Sequence, residues 1–178
     1  MNNKDLKYPI GQFYFNSDVA WSEIENWKKI LTHFPQKMKE KVGLLTPTEL
    51  HWKYRPEGWT ITQVVHHCAD SHMNSFIRFK LALTEETPTI RPYEEQLWAV
   101  LEDGLSDDLQ ASILILEGLH HRWSLLLDTM KTNDWEKMYF HPTHQKLVTL
   151  KEALGLYAWH GEHHLAHISQ ALEHQGEF

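Results

Sequence analysis

A short stretch near the C-terminus, YAWHGEHHLAH, contains four of the 14 histidines of this chain, namely His160, His163, His164 and His167. His160 and His164 are four residues apart, so a helix would place them one above the other on the same face. Two imidazoles in this arrangement can bind one metal ion. His167 lies three residues further along the same face.

The positions that flank these histidines at helical spacing are apolar or aromatic: Leu154, Tyr157, Ile168 and Ala171. The pattern therefore predicts that the imidazoles face the protein interior, where an unpaired polar group is costly. Hydrogen-bonded core histidines are the alternative. For a cluster of this size we favour a metal site.

A third histidine from a facing helix would leave one coordination position open, as in catalytic zinc sites. The candidates are His66, His67, His72, His120 and His121. Position favours His67, which borders an apolar stripe on a helix whose start is indicated by a capping box at Thr60 and Gln63. Spacing alone leaves the other candidates open.

Two known metal motifs are excluded. A zincin needs His-Glu-x-x-His, but Gly161 follows His160. A di-iron bundle needs Glu-x-x-His pairs on two helices, and only Glu117 and His120 have that form. Cys68 is the only cysteine, so a thiolate cluster and an intrachain disulfide are both excluded.

Composition predicts one globular domain over residues 1–178, with an irregular N-terminal arm over about residues 1–15. A net charge of −7 argues against nucleic acid as a partner. No apolar run is long enough to span a membrane, and the N-terminus lacks the apolar core of a signal peptide. We therefore expect a cytoplasmic protein, and a homodimer because two-fold dimers are the commonest soluble oligomers.

Apolar residues recur at helical spacing in four long segments. We predict long helices over about 17–42, 61–84, 108–130 and 149–176, short helical turns at Thr46–Glu49, Glu94–Leu101 and Asn133–Trp135, and a polar loop over Phe140–Val148. Pro35 should kink or split the first helix. The predicted fold class is all-α, a four-helix bundle with long crossover connections.

Three separated motifs carry a family resemblance: the YPIGQF arm, Trp59-Thr60 followed by VVHHCADSHMN, and WHGEHHLAHI. Together they resemble the DinB-like, YfiT-type family of metal-dependent four-helix bundles over nearly the whole chain. The resemblance implies that His67, His160 and His164 bind the metal. Cys68 stands where relatives often have Leu, and His167 stands where many have Gln.

The resemblance also implies an activity. Members are commonly described as metal-dependent hydrolases, and some resemble S-transferases that join the low-molecular-weight thiol bacillithiol to electrophiles. Both chemistries need one divalent ion per chain, zinc or nickel, with an open position. We favour thiol transfer, because no carboxylate base stands beside the ligands. A metal-dependent hydrolase that uses a metal-bound hydroxide is the alternative, and a non-catalytic bundle with a structural metal is the second alternative.

Other residues have candidate roles near the metal. Asp70 could orient a ligand or substrate, and Asn74 and Arg78 continue the His67 side of the helix. Arg78 could bind a carboxylate of the thiol through paired hydrogen bonds, or form a structural ion pair. The roles of His66, His163 and His167 stay open; a fourth histidine ligand would favour the structural alternative.

Overall fold

The computed structural model describes residues 6–178; the first five residues of the predicted arm lie outside the described part. The helices are α1 (Trp21–Val42), α2 (Pro47–Leu50), α3 (Ile61–Thr84), α4 (Glu95–Trp98), α5 (Gln110–Thr129) and α6 (Leu150–Glu173), and the strands are β1 (Met138–His141) and β2 (Lys146–Thr149). Short 3-10 turns cover Glu102–Leu105 and Thr132–Glu136. The predicted all-α four-helix bundle with long crossovers is confirmed.

The four long helices form a bundle in which two of the three consecutive pairs, α1 with α3 and α5 with α6, do not pack side by side. Helix α6 packs against α1 and α3, and α5 packs against the same two helices. Helices α1 and α3 therefore lie on one diagonal of the bundle, and α5 and α6 on the other. The connections that lead into α3 and into α6 therefore cross the bundle diagonally.

Helix α1 begins at Trp21, four residues later than predicted, because Ser17 and Asp18 form a turn in which Asn16 accepts the backbone N–H of Asp18. Of the two outcomes predicted for Pro35, a kink or a split, the split does not occur, since α1 runs through Pro35 to Val42. Proline has no N–H, so the carbonyl of Leu31 lacks its partner four residues along the helix. A histidine from α5 uses that carbonyl, as described below.

Capping chemistry sets the start of the later helices. Thr60 and Gln63 form the predicted capping box at α3, with each side chain accepting a hydrogen bond from the other residue's backbone N–H. At α6, Thr149 accepts the backbone N–H of Glu152, but the Glu152 carboxylate pairs with Lys146 instead of completing the box. Both helices that carry candidate ligands thus begin at a defined residue.

The loop predicted over Phe140–Val148 is wrong, because strands β1 and β2 form an antiparallel hairpin there. Tyr139 and Val148 lie opposite each other and are both buried. Each strand has only four residues, too few for an alternating pattern to be visible in the sequence. The hairpin covers the same end of the bundle as the candidate site.

Across residues 6–178, no helix combines the length and the apolar character needed to cross a membrane.

Gly161 of α6 and Gly118 of α5 differ in how much space surrounds them, which shows how closely α6 approaches α1. A Cβ on Gly161 would lie 2.8 Å from Cδ2 of Phe34, a buried α1 residue, whereas a Cβ on Gly118 of α5 would meet nothing within 4 Å. We expect Gly161→Ala to lower the free energy of unfolding by about 1–3 kcal/mol through overpacking. Gly118→Ala should raise it by about 0.5–1 kcal/mol through helix propensity. Urea unfolding followed by circular dichroism measures both, and stabilisation by both variants would contradict the close contact.

Candidate metal centre

Helix α6 places the predicted histidine pair on one face. The rings of His160 and His164 have centroids 4.4 Å apart, and the apolar residues around them, Leu154, Tyr157, Ile168 and Ala171, are buried. The interior position predicted from the spacing is therefore what the fold produces. Their side chains point toward α3 on the neighbouring corner of the bundle.

Helix α3 brings His67 against this pair. Nε2 of His67 lies 3.3 Å from Nε2 of His160, and one ligand atom from each of His67, His160 and His164 lies within 4.8 Å of the others. Trp59, just before the α3 cap, packs its ring on His67 with centroids 4.6 Å apart. The structure thus brings together the three residues that the family resemblance implies as ligands.

His66 points away from this cluster, although it is next to His67. Its Nε2 donates to the carbonyl of Ser106 at 2.8 Å, and its Nδ1 lies 2.7 Å from the hydroxyl of Ser112. Both nitrogens are satisfied on the side of α3 that faces α5. Successive helix residues point about 100° apart, which explains why only one of the two histidines can reach α6.

His72 and His120, the other buried candidates for the third ligand, lie behind His160. Nε2 of His72 is 3.1 Å from Nδ1 of His160, and Nδ1 of His72 is 2.8 Å from Nε2 of His120. Nδ1 of His120 donates to the Leu31 carbonyl at 2.6 Å, which is the carbonyl that Pro35 leaves free. His121, the remaining candidate, is exposed.

His167 lies behind His164 in a similar way. Its Nδ1 is 3.4 Å from Nδ1 of His164, and its Nε2 donates to the carbonyl of Lys7 at 3.2 Å. The ring of Tyr54 stacks on it with centroids 3.8 Å apart. The arm segment that contains Lys7 therefore lies against α6 and contacts the candidate site.

His163 lies beside the cluster rather than in it. Its ring stacks on Trp159 with centroids 4.4 Å apart, and its Nδ1 is buried without a hydrogen-bond partner among residues 6–178. The grouping of three candidate ligands does not include it.

Burial lowers the pKa of the clustered histidines, because the charged imidazolium loses its hydration. The pKa falls to about 4 for His67, His120 and His163 and to about 3 for His167, and it lies well below the usual range for His72, His160 and His164. Neighbouring histidines lower most of these values further. All these rings are neutral at pH 7, which is the form that binds metal.

A cavity of about 780 Å³ opens beside His160. Its wall is formed by α3, α6, the hairpin and the connection between α3 and α4, and it includes Ser71, Arg78, Tyr93, Tyr139, His141 and Tyr157. Burial raises the pKa of Tyr93 and Tyr139, so their hydroxyls stay protonated. The cavity can therefore offer several hydrogen-bond donors to a small molecule.

Arg78 is the residue of the cavity wall that indicates the charge of a bound molecule. It is 9% exposed, and none of the ion pairs among residues 6–178 includes it. A buried cation without an anionic partner is unusual in a protein interior. The structural ion pair considered for this residue is absent from the described part of the chain.

Asn74 and Asp70, which were also given candidate roles near the metal, do not line the cavity. Asn74 donates its amide to the backbone carbonyl of Asp70 at 2.9 Å, one turn earlier in α3. Asp70 is half-buried, and burial raises the pKa of its carboxyl group. Neither side chain is directed at the three clustered histidines.

Several wall residues were missed by sequence reasoning. Tyr93 lies in the α3–α4 connection and Tyr139 in the hairpin, so their relation to His160 depends on two connections with no periodic pattern. Tyr157 was read only as a residue of the apolar stripe, yet its hydroxyl donates to the carbonyl of Ser71 at 3.1 Å. His141 of the hairpin also lines the cavity.

With a bundle of this topology and three clustered histidines, the chain belongs to the DinB superfamily, whose family model matches residues 30–168. The resemblance drawn from the three motifs is thereby confirmed. The chain is 44% identical over 176 residues, 99% of each sequence, to a Bacillus subtilis (strain 168) protein named "Putative metal-dependent hydrolase YfiT". It is 46% identical over 165 residues to a Bacillus cereus (strain AH820) protein with the same descriptive name, covering 93% of this chain and 94% of that one.

The solved structure of YfiT from Bacillus subtilis superposes on this chain with a TM-score of 0.93. The match has 44% sequence identity and covers 96% of this chain and 98% of that one. That structure is described as "a probable metal-dependent hydrolase with an unusual four-helix bundle topology".

The buried neutral histidines predict how stability depends on pH. In the unfolded chain histidine has a pKa of about 6.5, so below that pH the unfolded state binds protons that the folded state does not. We expect the free energy of unfolding of the metal-free protein to fall as pH drops from about 6.5 toward 4, by about 2 kcal/mol at pH 5 for His120 alone. Urea unfolding at pH 7.5 and pH 5 measures this.

The exposed His121 provides the control for this measurement, because His121→Gln removes a histidine that lies outside the buried cluster. Equal free energies of unfolding at the two pH values would show that the clustered histidines are not buried in neutral form.

Proposed function

We propose that this chain is a metal-dependent enzyme that activates a small nucleophile at a divalent ion held by His67, His160 and His164. The observation that carries the proposal is the convergence of three neutral imidazoles beside a cavity large enough for a small molecule. Three protein ligands leave a position open for a reacting group. Two relatives carry the descriptive name "Putative metal-dependent hydrolase", and these names support a metal-dependent enzyme.

The three histidines fit the proposed ion. Two nitrogens bound to one tetrahedral ion at about 2.0–2.1 Å lie about 3.3 Å apart, which matches the 3.3 Å between Nε2 of His67 and Nε2 of His160. Uncharged imidazoles suit zinc or nickel, and we propose one such ion per chain. When bound, a divalent ion lowers the pKa of a coordinated water or thiol, so that the deprotonated nucleophile is available near pH 7.

We propose that the physiological nucleophile is a low-molecular-weight thiol such as bacillithiol and that the second substrate is a small electrophile. The sulfur would form a bond to the electrophilic carbon as the leaving group departs with its electron pair, and the thiol proton would pass to solvent. Two features of the chain support this choice. None of the carboxylates of residues 6–178 belongs to the three-histidine group, and Arg78 offers an unpaired cation in the cavity wall.

Arg78 would bind a carboxylate of the thiol or of the electrophile through paired hydrogen bonds. Arg78 and Tyr139 both line the cavity. We keep Asp70, Asn74 and His167 as candidate supporting residues. Their contacts, described above, suggest that they act through other residues rather than on the substrate.

Hydrolysis with water as the nucleophile is the second candidate function, because the relatives are named as hydrolases. It needs the same ligands and cavity, and it differs only in the group that takes the open position. A non-catalytic bundle with a structural metal is the third candidate. A structural metal site usually has four protein ligands. This candidate is disfavoured because His163, whose Nδ1 has no hydrogen-bond partner among residues 6–178, is not grouped with the three candidate ligands.

We also propose that residues 1–178 act as one domain and that the protein is a cytoplasmic homodimer. A cytoplasmic location keeps low-molecular-weight thiols reduced. The outer face of α5 exposes Leu114, Ile115 and Leu125, at 55%, 42% and 57%. Such an apolar face suits contact with a second copy of the chain.

Native mass spectrometry of tag-free protein tests the metal and the assembly together. We expect a mass of two 21.1-kDa chains with one zinc or nickel ion each. His164→Ala should lose the ion, because two imidazoles hold a divalent metal far less tightly than three. His121→Ala, which changes an exposed histidine of α5, is the matched control and should keep it. Absence of the ion from the wild-type protein after incubation with zinc or nickel would remove the basis of the proposal.

Substrate tests separate thiol transfer from hydrolysis. With chlorodinitrobenzene and bacillithiol, we expect metal-dependent release of chloride and formation of the thioether, with a rate that saturates in thiol. Arg78→Met should raise the KM for bacillithiol by about tenfold through loss of the charged contact, and should leave the KM for uncharged 2-mercaptoethanol unchanged. Saturable hydrolysis of a nitrophenyl ester without added thiol would instead favour water as the nucleophile.

A further inference from the structure

Two lines of hydrogen-bonded histidines lead away from the candidate ligands and end on backbone carbonyls. The first runs from His160 through His72 and His120 to the carbonyl of Leu31. The second runs from His164 through His167 to the carbonyl of Lys7. We call them the long relay and the short relay.

The carbonyl at the end of each relay determines where every proton in it lies. A carbonyl oxygen can only accept, so Nδ1 of His120 must carry a hydrogen, and in a neutral ring its Nε2 is then a bare acceptor. Nδ1 of His72 must therefore donate to His120, which leaves Nε2 of His72 bare. Nδ1 of His160 must in turn donate to His72, and Nε2 of His160 is left with its lone pair free.

The short relay gives the same result at His164. Nε2 of His167 donates to the Lys7 carbonyl, so Nδ1 of His167 is the acceptor. Nδ1 of His164 must then donate to it, and Nε2 of His164 is left bare. Both α6 histidines thus keep the proton on Nδ1 and present Nε2 for coordination.

We propose that the two relays fix the tautomers of His160 and His164 so that both present a bare Nε2 to the metal, which makes His72, His120 and His167 positioning residues. The inference rests on the three-histidine centre proposed above. It assigns roles to three residues that do not bind the ion themselves. Partners behind metal-bound histidines are known to set ring orientation and tautomer.

Each carbonyl is available for a structural reason. The Leu31 carbonyl would normally accept the backbone N–H of residue 35, but Pro35 has none. The Lys7 carbonyl lies in the arm, outside any helix or strand. Packing holds the relay rings in place, since Phe34 stacks on His72 at 4.8 Å and Tyr54 stacks on His167 at 3.8 Å.

A metal-binding histidine often donates its second ring N–H to a carboxylate. The carbonyls at the ends of the two relays differ from such a carboxylate because they carry no charge. Within residues 6–178, no carboxylate hydrogen-bonds to any of the five relay histidines. A neutral carbonyl fixes the tautomer without placing a negative charge near the ion. The full positive charge then remains available to stabilise a deprotonated nucleophile.

Nitrogen NMR of histidine-labelled, metal-free protein at pH 7.5 tests the tautomers without any substitution. We expect the proton on Nδ1 of His72, His120, His160 and His164, and on Nε2 of His167. A spectrum with His160 or His164 protonated on Nε2 would overturn the proposal.

Matched substitutions test the link to metal binding. Gln at position 72 or 167 can accept from the ligand histidine through its amide oxygen and donate onward through its amide nitrogen, whereas Leu can do neither. We expect His72→Leu and His167→Leu to raise the Kd for zinc by about 10–100-fold, and His72→Gln and His167→Gln to raise it by less than about threefold. Competition with a chromophoric chelator measures the Kd.

The outcomes separate this inference from the proposed function. Equal losses in the Leu and Gln variants, or no loss in either, would overturn the relays while the wild-type protein still bound zinc. Failure of the wild-type protein to bind zinc, with the expected tautomers present, would overturn the proposed metal centre and leave the relays standing.

Discussion

The structure depends on satisfying a cluster of buried, uncharged imidazoles. Each ring has one donor and one acceptor, and burial makes an unsatisfied nitrogen costly. The described hydrogen bonds link His120, His72 and His160 in a line that ends on the Leu31 carbonyl. Pro35, which would ordinarily be read as a helix breaker, leaves that carbonyl free within an unbroken α1. One missing N–H in α1 is thus coupled to the orientation of a candidate ligand in α6.

The bundle topology makes this coupling feasible. Because α6 packs against both α1 and α3, and α5 packs against the same two helices, all four long helices contribute to one interior line of side chains. Leu31 comes from α1, His72 from α3, His120 from α5 and His160 from α6. The arm adds a second support through Lys7.

The cavity lies between the helices of this rigid interior and two connecting segments of the chain. One part of its wall is formed by α3 and α6, and the other part is formed by the hairpin and the α3–α4 connection. Capping and burial define the positions of the two helices. The candidate metal ligands lie on helices, and part of the cavity wall lies on connecting segments. This division is common in enzymes, because connections can vary without disturbing the scaffold.

The sequence alone predicted the helical class, the capping box at Thr60 and the pairing of His160 with His164, because these depend on spacing within one helix. Position favoured His67 as the third ligand, but spacing alone left His66, His72, His120 and His121 open, since that choice depends on how helices rotate against each other. The hairpin and the continuity of α1 through Pro35 were also decided by tertiary structure. Four-residue strands carry no readable period, and the carbonyl that Pro35 leaves unpaired finds its donor on α5, 89 residues further along the chain.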